Sequence, residues 1–393
     1  MIENRDYDVA VCGGGFGGIS AALAAARGGR RVVLFEREYM LGGLGTAGLV
    51  TIYLPLCDGV GHQVSFGIAE ELLRLSIKYG AEARYPDNWL DGVGSRTEND
   101  KRFQVQYNAQ VFAILAEKLL LSEGVDVMYG TYVVGSEVED GRITALYTEN
   151  KSGRSAYYVN GVVDATGDCD VAYLSGAPTR NFSYGNVLAA WYYFTDENGY
   201  KLKQLGASDI SEEERAKAKT KSKPLSDRRF TGLDGKEISE FVQLSHEKTL
   251  ENWLEARKTN ENAVISTIAT IPQLRMTRSI VGEHSLSKDD DHKYFDSSVG
   301  MVGDWRRRGP VYEVPFGCLY SDKIKNLAVA GRCVSTSDAM WDIIRVIPCC
   351  AVTGEAAGTA LALSYDLTSL DLVKLQKTLV KNGVKLHEKD INI

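Results

Sequence analysis

Three glycines and one acid near the N-terminus have the types and spacing of a dinucleotide cradle. Gly13, Gly15 and Gly18 fill the pattern G-x-G-x-x-G, with Phe16 and Gly17 between the last two. The first glycine permits a tight turn, the second lets the backbone approach a pyrophosphate, and the third lets a helix pack closely on a strand. Glu36 follows 23 residues after Gly13, near the roughly 20 expected for an acid that accepts ribose hydroxyls and repels a 2′-phosphate. The elements that must position these residues are legible on either side. Residues 7–12 read as a strand, 19–26 as an Ala-rich helix and 31–35 as a second strand. The glycines then lie at the turn of a βαβ unit, and the helix start faces the phosphates.

Further along, Gly42 and Gly43 form a second glycine turn soon after Glu36 and Arg37. The stretches 130–138, 141–149 and 157–164 alternate like a meander of strands, the last ending in Asp164-Ala165-Thr166-Gly167-Asp168. Residues 326–332 form another buried strand closing on Gly331 and Arg332, followed by a small-residue helix at 348–360 with Pro348 at its start. Residues 107–121 read as an amphipathic helix with Ala109, Phe112, Leu115, Ala116 and Leu119 on one face.

These motifs together resemble the FAD-dependent oxidoreductase family of the glutathione-reductase-like superfamily. The segments carrying the resemblance are DVAVCGGGFGGISAALAAARGGRRVVLFERE, LGGLGT, VVDATGDCDVAYLSGAP, PQLRMTRSIVGEHSL, NLAVAGRCVS and IRVIPCCAVTGEAAGTALAL. The resemblance implies an α/β, Rossmann-like FAD-binding domain with a β-meander and an inserted α+β cap. It implies a discontinuous layout: 1–180 as the first part of the FAD domain, 181–315 as the cap, 316–370 as the return and 371–393 as a tail. Composition agrees with an insertion, because 195–260 is densely charged, with helix-forming character at 211–223 and 244–258.

Carried onto this sequence, the family pattern assigns FAD to Gly13, Gly15, Phe16, Gly17, Gly18, Glu36, Arg37, Gly42, Gly43, Leu44, Thr46 and Val133. It adds Ala165, Thr166, Gly167, Asp168, Gly331, Arg332, Cys349 and Cys350 from the later segments. The helix start at Pro348, Cys349 and Cys350 would favour negative charge at the flavin N1/O2 edge, or else is an ordinary core helix. No Cys or His is placed for a ring linkage, so FAD is expected to be noncovalent.

For substrate chemistry, Arg275 and Arg278 lie three residues apart after an apolar strand at 263–271. Two such guanidiniums suit a carboxylate-bearing substrate or the flavin itself, and interdomain salt bridges explain them equally well. Arg332 and Arg345 invite the same two readings. His62, in a glycine-rich segment, is a candidate base or a surface capping histidine.

The seven cysteines are scattered without C-x-x-C, and the five histidines lack metal-ligand spacing, so buried reduced thiols and no metal are expected. A net charge of -7 disfavours nucleic acid and anionic lipid as partners. The apolar runs fall short of the 18 or more residues of a spanning helix, and a cytoplasmic location is expected. A small-molecule substrate is the expected partner, with a homo-oligomer or electron acceptor also open. The expected activity is hydride transfer between a small organic molecule and FAD. Two alternatives stand beside it: a flavin-binding electron-transfer subunit, and an FAD-assisted anabolic protein.

Overall fold

The computed structural model describes residues 2–81, 104–206 and 224–391. Two compact units divide the chain. The first comprises Met1–Thr46, Thr51–Arg180 and Arg278–Ile393, and the second Ala47–Val50 and Asn181–Thr277.

At the heart of the first unit is a five-stranded sheet in the order Leu327–Val329, Gly161–Asp164, Val9–Cys12, Val32–Phe35, Asp126–Met128, with every pairing parallel. The four strands away from the Asp126 edge are buried along their whole length. Unbroken apolar runs such as Val9-Ala10-Val11-Cys12 are what a sheet covered on both faces requires. The return strand Leu327–Val329 enters beside Gly161–Asp164, so a segment more than 300 residues from the first strand completes the same sheet.

Two helices pack together at very short range. Phe16–Arg27 follows the glycine turn, and Ile347–Leu363 follows the return strand. A Cβ at Gly354 would stand 2.1 Å from the Gly17 carbonyl oxygen, and one at Gly358 would stand 2.1 Å from that of Ala21. Small residues on both helices therefore set the backbone separation, and any side chain at these glycines would push the helices apart.

A second, four-stranded sheet runs Ile2–Asn4, Gly153–Tyr158, Arg142–Asn150, Tyr132–Glu139. The sequence suggests a single third strand at 157–164, but the chain divides there. Gly153–Tyr158 stays in this sheet, while Gly161–Asp164 enters the parallel one. The backbone N–H groups of Asn160 and Gly161 both donate to the Asp8 carbonyl, at 3.0 and 3.1 Å, and this turns the chain between sheets. The amphipathic helix spans Ala109–Ser122, with Asn108 capping the Val111 N–H. Its buried face is Ala109, Phe112, Ala113, Ala116 and Leu120, so Leu115 and Leu119 flank that face, half-buried, rather than forming it.

The second unit contains the antiparallel sheet Gly199–Lys203, Tyr192–Asp196, Val264–Ile268 and the long helix Gly235–Arg257. Asp234 caps that helix through the N–H groups of Lys236 and Glu237, which starts it well before the expected position 244. Leu188, Phe230, Phe241 and Leu274 form its core. The helical character expected at 211–223 lies outside the described residues.

This unit ends at Thr277, not at the expected 315. Residues 278–315 belong to the first unit, where the paired strands Ser298–Gly303 and Val311–Pro315 are fully buried. The segment 371–393 is likewise part of the first unit. Its helix Leu372–Lys381 buries Leu375 and Leu379, and Ser298 Oγ donates to the Leu386 carbonyl at 2.6 Å. Among the described residues no single helix is long and apolar enough to cross a membrane.

Candidate functional site

The glycine turn has the geometry that a pyrophosphate needs. Gly13 adopts φ +104°, and a Cβ there would stand 2.4 Å from the Ala165 carbonyl oxygen. Gly18 is tighter still, since its Cβ would stand 1.8 Å from the Gly13 carbonyl oxygen. Gly15 is different. A Cβ on it would meet nothing within 4 Å, so open space lies over the helix start, and no side chain caps that start. A helix start with no side-chain cap is the kind of place that receives a phosphate. The Phe16 ring is buried against Phe112, Tyr53 and Tyr107 and is turned to the core.

Glu36 closes the cradle. Its Oε2 accepts from the Gly14 N–H at 2.7 Å and its Oε1 from the Glu38 N–H at 2.8 Å. Burial pushes the carboxyl above its ordinary value, against the pull of these two N–H donors. Each oxygen keeps a free lone pair, which suits the two hydroxyls of a ribose. The second glycine turn is tied directly to the first, since Gly42 N–H donates to the Gly14 carbonyl at 2.7 Å. Gly42 has φ +102°, and a Cβ there would strike the Thr46 side chain, whose Oγ1 donates to the Leu41 carbonyl. Gly43 lies against Gly15, and the half-buried Leu44 follows it. Arg37 Nε is 3.9 Å from Glu38 Oε1. Val133 pairs with Thr148 in the four-stranded sheet, on the strand entered from Thr131, whose N–H donates to the Glu36 carbonyl.

The later motif residues converge on the same ground. Ala165 N–H donates to the Cys12 carbonyl, and Thr166 donates to Asp164 Oδ1 through both N–H and Oγ1. Arg332 Nη2 lies 3.3 Å from Asp168 Oδ1, and its guanidinium covers Gly167. Gly331, at φ +69°, stands against Gly17 on one side and Cys350 on the other. The Ile347–Leu363 helix starts at Val346 with no side-chain cap and Pro348 in its first turn. Cys349 and Cys350 are both buried, and burial pushes the Cys350 thiol up to about 12. Both thiols are therefore held in their protonated form. All seven cysteines are buried and none forms a disulfide. Asp164, Cys169 and Cys333 offer ligand atoms within 4.8 Å of one another, but Asp164 is already engaged by Thr166 and the Ala172 N–H.

Arg275 and Arg278 have different partners. Arg275, in the second unit, donates to Gln273 Oε1 at 2.8 Å and lies 5.1 Å from the Trp191 ring. Arg278, in the first, begins the buried strand Arg278–Ile280, lies over Tyr173 and reaches Asp170 at 3.4 Å. Burial, with Asp168 and Asp164 nearby, pushes the Asp170 carboxyl up to about 6.

His62 acquires a partner that sequence inspection misses. Its Nδ1 is 2.8 Å from Asp58 Oδ2. The i, i+4 spacing was a readable signal, yet on a glycine-rich loop it carries no helical meaning. Also missed is a run of charges on the loop packed beside it. Asp304 accepts from Arg307 Nε at 3.0 Å, Arg306 Nη1 is 3.2 Å from Asp342 Oδ2, and Arg345 bonds the same Asp342.

A parallel sheet with a glycine turn, an acid ending its second strand, and a returning strand and helix defines a Rossmann-like, FAD-binding fold. The chain belongs to the FAD dependent oxidoreductase family, whose model matches residues 8–186 and 192–379. FAD is its cofactor. A thiamine thiazole synthase from Desulfosudis oleivorans is 54% identical over 167 residues, 42% of this chain and 58% of that protein. The chain thus spans 58% of the length of that curated relative. Among solved structures, p-nitrophenol 4-monooxygenase from Pseudomonas putida is similar with a TM-score of 0.49 and 13% identity, over 98% of this chain and 89% of that one. A geranylgeranyl bacteriochlorophyll reductase-like protein from Thermoplasma acidophilum has a TM-score of 0.46 and 14% identity, over 99% and 86%.

Proposed function

We propose that this chain is an oxidoreductase that moves a hydride between a small organic substrate and noncovalently held FAD. The observation that supports it most is the meeting at Gly331, which lies against the first turn of one uncapped helix and the first turn of another. The start after Gly15 would receive the pyrophosphate, and Glu36 the ribose hydroxyls. The start after Val346 would hold the negative charge that develops at the flavin N1/O2 edge, worth about 0.3–2 kcal/mol. Bound FAD supplies the two-electron acceptor or donor. The chain supplies orientation, a partial positive charge, and exclusion of water by the buried glycine and alanine faces around the site.

Noncovalent attachment is favoured by the burial of every cysteine. Acid precipitation tests this directly: yellow colour should leave with the supernatant. The activity itself is tested by titrating the purified yellow protein with small metabolites under anaerobic conditions. Bleaching of the oxidised flavin spectrum, reversed by an added acceptor, is the expected result. A metabolite panel that never bleaches it in either direction would remove the proposal.

The match to a thiamine thiazole synthase favours a second reading, in which FAD assists the assembly of a product without net reduction. Under that reading the flavin spectrum stays oxidised while product accumulates.

A further inference from the structure

We infer that Asp58 and His62 are the proton-transfer pair of this enzyme, with His62 Nε2 accepting the proton carried on oxygen or nitrogen by an alcohol or amine substrate. This rests on the hydride-transfer reading and names the substrate class for it.

The loop is built to hold one ring. Asp58 Oδ1 accepts from the backbone N–H groups of Val60, Gly61 and His62 at 2.8, 3.1 and 3.1 Å. Asp58 Oδ2 is left for His62 Nδ1 at 2.8 Å. A carboxylate oxygen only accepts, so Nδ1 carries a ring proton, and in the neutral form of such a ring the lone pair is at Nε2. Among the described residues Nε2 has no hydrogen-bond partner. The Asp58 side chain is 4% exposed and that of His62 31%, so the carboxylate is sheltered and the ring is accessible. The ends of the loop are pinned by the Cys57–Gln63 bridge and by Gln63 Nε2 donating to Glu70 at 2.6 Å.

The loop that carries the pair packs on residues 303–309, which are linked in turn to the start of the Ile347–Leu363 helix. Gly309 N–H donates to the Asp58 carbonyl at 2.8 Å, and Gly303 lies against the Cys57 carbonyl. From that loop Arg306 reaches Asp342, Arg345 bonds Asp342, and the Arg345 carbonyl accepts from Cys350 Sγ at 3.1 Å. Cys350 lies in the first turn of the Ile347–Leu363 helix. The charged groups of the loop packed on residues 58–62 are Arg308, whose stem lies against Gly59, and the Arg307–Asp304 pair.

In the oxidative direction the balance is complete. The substrate O–H or N–H bond would give its proton to Nε2 while the hydrogen of the adjacent C–H bond leaves with both bonding electrons as a hydride, which bound FAD would accept, and a C=O or C=N bond would form. His62 leaves the step as imidazolium, stabilised by Asp58, and returns its proton to water. Asp58 touches no substrate and acts as a positioning residue.

Two measurements on the FAD-loaded protein test this. In long-range proton–nitrogen spectra of nitrogen-15 histidine-labelled enzyme, His62 should show a protonated Nδ1 and a bare Nε2 at high pH. Asp58→Asn should release that tautomer. The second measurement is anaerobic flavin bleaching by propan-2-ol, lactate, glycerol, alanine and sarcosine, with succinate as a compound that lacks an O–H or N–H at the reacting carbon. At least one alcohol or amine should bleach the flavin. His62→Gln should slow it about 10²–10⁴-fold at unchanged FAD content. Asp58→Asn should slow it less.

A wild-type His62 protonated at Nε2, or bleaching at the wild-type rate by His62→Gln, would overturn the assignment. Bleaching by succinate alone would overturn the substrate class. Failure of every compound in the panel would count against hydride transfer itself, and with it against the substrate class. The tautomer, which needs neither a substrate nor a variant, separates a failure of the pair from a failure of that reading.

Discussion

The nucleotide cradle and the Asp58–His62 loop are both a carboxylate set among backbone N–H donors, yet the two carboxylates are left in different states. Glu36 receives one N–H on each oxygen and keeps lone pairs open. Asp58 receives three N–H groups on one oxygen and an imidazole on the other. An undersatisfied buried carboxylate is built to bind a ligand, whereas a saturated one is built to hold a neighbour. The regions also differ in chain distance. The cradle's first turn is complete within residues 13–43, while the loop at 57–62 is braced by residues 303–309.

The largest effects come from testing whether the cradle glycines have separate tasks. Gly18→Val would drive a side chain into the Gly13 carbonyl and should cost more than about 4 kcal/mol, leaving little folded protein. Gly15→Val has room and an extended backbone. It should give folded, colourless apoprotein by circular dichroism and absorbance. A folded and yellow Gly15→Val would show that the pyrophosphate lies elsewhere.

A third buried carboxyl sharpens the contrast. Glu355, in the Ile347–Leu363 helix, accepts only from the Ile68 N–H at 2.8 Å among the described residues, and burial pushes its carboxyl from 4.5 up to about 7. A raised carboxyl contributes stability that is fully present below the unfolded value and is lost as pH rises through the folded one. At 1.4 kcal/mol per pH unit the loss between pH 4.5 and 8 is roughly 3 kcal/mol. Glu355→Gln should therefore flatten the fall in Tm over that range and be the more stable protein at pH 8. An unchanged slope would mean that Glu355 is ionised throughout.

Glu36→Ala should weaken FAD binding by about 1.5–3 kcal/mol, because ribose hydroxyls lose charge-assisted partners. Equilibrium dialysis of flavin reads this, and an unchanged affinity would remove Glu36 from the site. Smallest is the effect at Cys350. An acid there opposes negative charge at the helix start by about 0.3–2 kcal/mol. Cys350→Asp should accordingly lower the flavin midpoint potential by up to tens of millivolts. Cys350→Ser, which can still donate to the Arg345 carbonyl, should leave it nearly unmoved. Dye titration distinguishes them, and equal potentials in flavin-replete variants would mean that this helix does not face the ring.

Sequence alone determined what depends on neighbours a few residues apart: the strand, turn and helix around Gly13–Gly18, the acid at Glu36, and the return helix with its early proline. These are written in backbone permissions and hydrophobic period, which act locally. Tertiary structure decided the rest. The run 157–164 became two strands in two sheets because Asp8 draws Asn160 and Gly161 aside. Arg275 and Arg278, neighbours in sequence, found different partners once Arg278 entered a strand. Asp58 paired with His62 where the loop at 57–63 folds back on itself against residues 303–309, and Asp342 became the shared partner of Arg306 and Arg345 once that second loop packed beside it. A side chain's chemistry is fixed by its type, but its partner is chosen by packing that no short window contains.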